Sequence, residues 1–218
     1  MKLYHGSKNI IEKPVFGKGN PANDYGLGFY CTENLELAKE WACGQMQDGY
    51  ANEYNFNIEQ FSVINLSAKE YNILNWLALL LNNRTFSIKN TISEQGREFL
   101  LHYYLIDINS FDVIIGYRAD DSYFSFAQDF LNNTISIRKL ESVMKLGNLG
   151  EQVVIKNQKA FSAIKFNTAI KANFQEYFFK REKRDKDARN EYINSQTQQK
   201  TSANDIFLID IIRKGGLE

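Results

Sequence analysis

The chain has 218 residues, 44% hydrophobic and 14% aromatic, which is enough apolar material for one packed domain, with or without an appendage, and excludes global disorder. Lys plus Arg and Asp plus Glu each number 26, so the formal charge is zero and no global field draws the chain to nucleic acid or an anionic membrane. The longest apolar run, WLALLL at 76–81, is too short to span a bilayer, MKLYHGSKN holds no apolar signal segment, and Cys31 and Cys43 make no disulfide framework, so the expectation is a reduced, cytoplasmic setting.

In chain order, LYH at 3–5 is a strand that runs into the Gly6-Ser7 turn. Residues 13–28 carry Pro14, Pro21 and four glycines and read as loop. GFYCT at 28–32 is a second strand, after which Thr32 caps a helix ENLELAKEWACGQM with Leu35, Ala38, Ala42 and Met46 on its apolar face. Residues 54–67 give two strand pieces. Ser67 then opens a helix to residue 83, with Glu70 completing a capping box, and Ser93 to Ile106 is a third helix. FDVIIGYRA is an apolar strand ending at Gly116; SYFSFAQDFLNN and ISIRKLESVMKLG are helices, the latter capped by Ser136. EQVVIKN at 151–157 is a strand, and KAFSAIKF is a short helix or a last strand. Residues 176–195 have dense, mixed charge and read as a solvated helix; 196–204 are polar and loose, and DIFLIDIIRK is a strand or short helix. Helices and strands alternate irregularly, which predicts an α+β fold. The composition shift divides the chain into a domain over 1–170 and a charged helical extension over 171–218 that packs on or projects from it.

Few residues here carry chemistry. Asp120-Asp121 after a strand reads first as a turn or helix cap and only second as a metal or acid–base pair. The cysteines lack histidines at zinc spacing, so no metal is expected. His102 lies inside a helix, whereas His5 ends a strand before Gly-Ser, at a strand mouth with free backbone N–H groups. GLGFY is not a dinucleotide fingerprint; its glycines permit close backbone approach or special φ/ψ angles, or serve only a hairpin. Tyr30 and Trp41 at their spacing are equally consistent with a core.

The order LYHGS, then GLGFYCT, then EQVVIK resembles the ADP-ribosyltransferase fold of the diphtheria-toxin and poly(ADP-ribose) polymerase type. Over roughly residues 1–170, with FDVIIGYRADD and QVVIKNQKAF, the chain is similar to a bacterial family of uncharacterised ADP-ribosyltransferase-like proteins. The resemblance implies a split antiparallel or mixed β-sheet core with surrounding helices. It implies NAD as a consumed substrate, no metal, and mono-ADP-ribosyl transfer to a protein or nucleic-acid acceptor with loss of nicotinamide, as in a bacterial toxin or defence effector with an antitoxin partner and no membrane association.

It also implies roles for particular residues. His5, Tyr30 and Gln152 take the catalytic triplet positions, His5 holding a ribose hydroxyl. Gly6 offers its backbone to the nicotinamide carboxamide and Ser7 a hydroxyl. Tyr30 and Trp41, three helical turns on, sandwich the ring, where each dry stacking or cation–π contact is worth on the order of 1–2 kcal/mol. Tyr25 closes over the ligand, and Gly28 allows it to approach. The third position departs from the family pattern. Gln152 accepts a hydrogen bond but brings no charge. The adjacent Glu151 faces away by strand alternation unless a bulge turns it. The alternatives are a catalytically inactive module that binds NAD or ADP-ribose, and a partner-binding protein acting through the charged segment 176–195.

Overall fold

A computed structural model describes residues 1–119, 121–146, 150–198 and 204–217. The fold is α+β. Its elements are β1 (Lys2–Ser7), β2 (Phe29–Cys31), α1 (Leu35–Ala42), β3 (Gly49–Asn55), β4 (Val63–Asn65), α2 (Ile73–Asn83), α3 (Thr91–Tyr103), β5 (Val113–Tyr117), α4 (Asp121–Leu131), α5 (Ile137–Val143), β6 (Glu151–Ile155), α6 (Gln158–Ala163), β7 (Lys165–Ala172), α7 (Phe174–Gln198) and α8 (Leu208–Lys214). Strands β1, β3 and β7 form an antiparallel sheet in the order β1-β3-β7. The second sheet, β2-β6-β5-β4, is antiparallel except for its parallel β4–β5 pair. One reciprocal backbone pair couples the sheets: Tyr4 N–H donates to Thr32 O at 2.8 Å and Thr32 N–H to Tyr4 O at 2.9 Å.

Strand alternation sorts the apolar residues into two cores. Val153 and Ile155 of β6 join Leu3, Phe29, Tyr54, Val113 and Phe161 in one buried cluster. Val154, between them, turns to the other face and joins Ile114 and Tyr25 in a larger cluster with α2, α4 and α8. The continuous run of α2 suits its place, because Trp76 to Leu81 are all buried. The segment after residue 170 belongs to the same body. Helix α7 lies against α1 and α4, and Leu208 of α8 packs so closely on Gly96 of α3 that a β-carbon at 96 would collide with it.

Asparagines decide where four helices begin, Asn157 capping α6 through Ala160 N–H. Asn34 Oδ1 accepts from Glu36 and Leu37 N–H, so α1 is capped by Asn34, while the Thr32 hydroxyl accepts from Asn34 N–H, before the helix begins. Asn72 caps α2, with Asn75 as its box partner, and Asn90 caps α3 with Ser93; Ser67 and Glu70 precede the α2 helix. Helix α1 stops at Ala42, so Met46, expected on its apolar face, is 81% exposed. Strand β5 continues through Gly116 to Tyr117. Residues 159–166 divide between α6 and β7, and DIFLIDIIRK contributes α8. Asp120 and residues 199–203 of the expected loose stretch lie outside the described residues.

A β-carbon on Gly49 would land on the Ala42 carbonyl group. Gly49→Ala is therefore expected to destabilise the protein by about 2 kcal/mol through overpacking. Gly44→Ala, whose β-carbon meets nothing closer than 3.7 Å, is expected to stay within about 0.5 kcal/mol of the parent. Urea unfolding midpoints of the two variants check the contrast.

Candidate functional site

Pairing of β5 with β6 sets Gly116 opposite Gln152, so the end of β5 and the start of β6 meet at one end of the sheet's two central strands. A cavity of about 320 Å³ opens there. Its walls are Asn20, Ala22, Asn23 and Asp24 from the N-terminal loop, Tyr30 of β2, Trp41 of α1, Arg84 after α2, Arg118 and Ala119 after β5, and Gln152.

Gln152 is 2% exposed, and alternation leaves its neighbour Glu151 exposed. Its amide nitrogen donates to Asp24 Oδ2 and to the Tyr117 carbonyl, both at 3.0 Å. Those acceptors fix the orientation of the amide, so Oε1 faces Arg118, whose Nη2 donates to it at 3.4 Å. Asp24, 7% exposed, also accepts from Ala119 N–H at 2.9 Å and pairs with Arg84 Nη1 at 3.0 Å. Arg84 donates to Ala119 O at 2.7 Å and lies over the Phe124 ring.

Tyr30 turns its ring to the cavity, but its hydroxyl staples the loop by donating to Gly26 O at 2.6 Å and accepting from Tyr25 N–H at 3.0 Å. Burial pushes the pKa of that phenol far up, so it remains a neutral donor. The Arg118 guanidinium stacks on the Trp41 indole. Among the described residues the buried Trp41 N–H meets no hydrogen-bond acceptor.

The remaining sequence candidates divide. His5 stacks on Phe29 at 4.4 Å, and its Nδ1 donates to Tyr30 O at 2.7 Å. Burial, and secondarily the Arg118 charge, lower its pKa against that hydrogen bond, which favours the neutral ring with Nε2 as acceptor. Because Tyr4 directs its backbone groups to Thr32, those of Gly6, two residues on, point the same way, out of the β1–β3 ladder. On its other side Gly6 packs on α1: a β-carbon would strike the Ala38 carbonyl oxygen and crowd Trp41 Cβ. Ser7 accepts from Asn9 N–H at 3.2 Å and is not part of the cavity wall.

Tyr25 is a core residue. It is 1% exposed and its hydroxyl donates to Tyr117 O at 2.7 Å, so it is not a loop aromatic free to close over a ligand. Gly28 serves packing, since a β-carbon there would press on Val154 and the Ile155 carbonyl of β6. The structure thus gathers Tyr30, Trp41 and Gln152 around one cavity; His5 and Gly6 are not part of its wall, His5 bonding the Tyr30 carbonyl and Gly6 packing on α1 beside Trp41. It adds Asp24, Arg84 and Arg118, which sequence patterning did not single out. Their one signal was Arg118 directly after an apolar strand; Asp24 sits in an ordinary-looking turn. Among the described residues no three His, Cys, Asp or Glu side chains gather as metal ligands.

Fold and site together define an α+β protein with a polar cavity, walled by aromatic and arginine side chains, beside the junction of two sheets. The model of the family described as "Protein of unknown function (DUF3990)" matches residues 1–166, and the chain belongs to that family. No curated protein and no solved structure matches it.

The lowered pKa of His5 fixes a sign. Above its ordinary value of 6.5 the ring is neutral in both the folded and unfolded chain. As pH falls below 6.5 the unfolded chain takes up a proton first, so folding stability is lost until the lower folded pKa is passed. Melting temperature is expected to fall from pH 7 to pH 5 more steeply in the parent than in His5→Asn, as read by a thermal scan at each pH.

Proposed function

We propose that the protein is an NAD-consuming mono-ADP-ribosyltransferase, acting on a protein or nucleic-acid acceptor as a bacterial toxin or defence effector. The observation that carries this reading is the convergence of Tyr30, Trp41 and Gln152 on one cavity. In this reading the nicotinamide ring lies between Tyr30 and Trp41, with its carboxamide on the Gly6 edge. A ribose hydroxyl donates to Gln152 Oε1, and another to neutral His5 Nε2. Arg118 leaves the Trp41 face when the ring enters, and its guanidinium is then a donor fork for a phosphate oxygen. Bond cleavage leaves positive charge on the ribose carbon; nicotinamide departs and an acceptor nucleophile takes its place.

A second reading, an NAD- or ADP-ribose-binding module without catalysis, is favoured by the uncharged side chain at 152, which offers less stabilisation of that positive charge than a carboxylate. The two are separated by titrating NAD and following both Trp41 fluorescence and nicotinamide release. A transferase quenches the indole and releases nicotinamide, faster when its acceptor is present; a binding module quenches only. Trp41→Ala is expected to weaken NAD binding about tenfold, as loss of a stacking contact worth roughly 1–2 kcal/mol requires. If NAD neither quenches the indole nor loses nicotinamide, both readings fall.

A further inference from the structure

The carboxylate that position 152 lacks is present in the site on another segment. Asp24 reaches the cavity from the N-terminal loop and places Oδ2 3.0 Å from Gln152 Nε2. We propose that Asp24 is the positioning residue of this site: it holds Gln152 so that a ligand meets only the amide's acceptor end, and makes that oxygen a stronger acceptor.

The physics is local. A primary amide has one acceptor oxygen and two N–H donors, and a free glutamine presents either end to a ligand. Here both donors are committed, one to Asp24 Oδ2 and one to Tyr117 O. Turning the amide over would set its oxygen against a carboxylate and a carbonyl, leaving three acceptors without a proton between them. Asp24 is itself held in place by Arg84 on Oδ1 and by Ala119 N–H on Oδ2. Negative charge behind the N–H groups pushes electron density toward Oε1, since hydrogen bonds in a chain polarise one another. Oε1 already accepts from Arg118 Nη2 at 3.4 Å and has a second lone pair to offer, so a group recognised there must be a donor, such as a sugar hydroxyl. Identifying it as a ribose hydroxyl of NAD rests on the proposed function; the constraint on the amide does not.

Two measurements test the proposal on the full chain. The first is solvent exchange of the Gln152 side-chain amide protons by NMR, assigned through their loss in Gln152→Leu. In the parent both protons are expected to exchange at least tenfold more slowly than a free glutamine amide. In Asp24→Asn that protection is expected to fall at least fivefold, because the Arg84 cation draws the single remaining oxygen to the Oδ1 position and leaves an NH2 group facing Gln152 Nε2 where Oδ2 had accepted. The second is steady-state nicotinamide release. Asp24→Asn is expected to lower kcat at least tenfold while KM for NAD changes less than threefold, since the Gln152 contact strengthens as charge develops on the ribose. Asp24→Asn/Gln152→Glu, which exchanges the carboxylate and the amide between the two positions, is expected to recover at least threefold in kcat over Asp24→Asn.

If Asp24→Asn does not fold, Asp24→Ser/Arg84→Met removes the carboxylate together with its cation and is measured in its place. Unchanged amide protection, or a kcat within twofold of an active parent, overturns the proposal. A parent that binds no NAD and releases no nicotinamide refutes the functional reading instead, and amide exchange then decides the role of Asp24 alone.

Discussion

A buried carboxylate persists only where the fold supplies its hydrogen bonds, and Asp24 is where this protein meets that demand. Removing such a group from water costs several kcal/mol, and each hydrogen bond to it returns roughly 1.5–3 kcal/mol. Three donors meet it: Arg84 from the end of α2, Ala119 N–H from the end of β5, and Gln152 from β6. Three segments distant in sequence are thereby bound to a single side chain of a fourth. The loop over 20–28 is held further by Tyr30, Asn83 and Lys156, the last donating to the Tyr25 and Leu27 carbonyls at 2.6 and 2.7 Å. What reads as a Pro- and Gly-rich loop is one rigid wall of the cavity.

The opposite wall follows from glycine at two places. Helix α1 approaches β1 and β3 closely because Gly6 and Gly49 carry no side chain where Ala38 and Ala42 present their carbonyls. That approach brings Trp41 to the cavity. Helix α7 secures it from outside. Arg184 pairs with Glu40 of α1 at 2.8 Å with both side chains largely buried, and Tyr192 donates to Asp129 of α4 at 2.7 Å. The exposed Lys180–Glu176 pair on the same helix adds little, because water screens it. The charged segment is thus solvated on one side only; its other side ties α1, which bears Trp41, to α4, which follows Arg118. The family match ends at residue 166, before this helix begins.

Local signals carried the secondary structure where one force dominated. The apolar runs in α2, β5 and β6 and the Ser136 cap of α5 each match the observed element, because burial or capping acts within a few residues. Boundaries went astray where neighbours compete for the same role. Asn34, Asn72 and Asn90 cap their helices in place of nearby Thr and Ser, since the winning cap depends on where the chain enters the helix. Strand β7 alternates only weakly, lying at a sheet edge with much of its length exposed, and its pairing with β3 is a long-range event that no local pattern encodes.

By itself the sequence determined an α+β fold with mixed and antiparallel strands and no apolar helix long enough to cross a membrane among the described residues. Strand alternation set the expectation that Gln152 rather than Glu151 shares a face with Val154 unless a bulge intervened, and the regular β5–β6 register removes the bulge. Tertiary structure alone decided what surrounds Gln152. Its amide meets a carboxylate 128 residues earlier in the chain, and Trp41 meets Arg118 across the cavity. Tyr25 and Gly28, which sit beside Tyr30 in sequence, went to the core and to packing instead, because their neighbours in space, not in the chain, set the room and the hydrogen bonds they find.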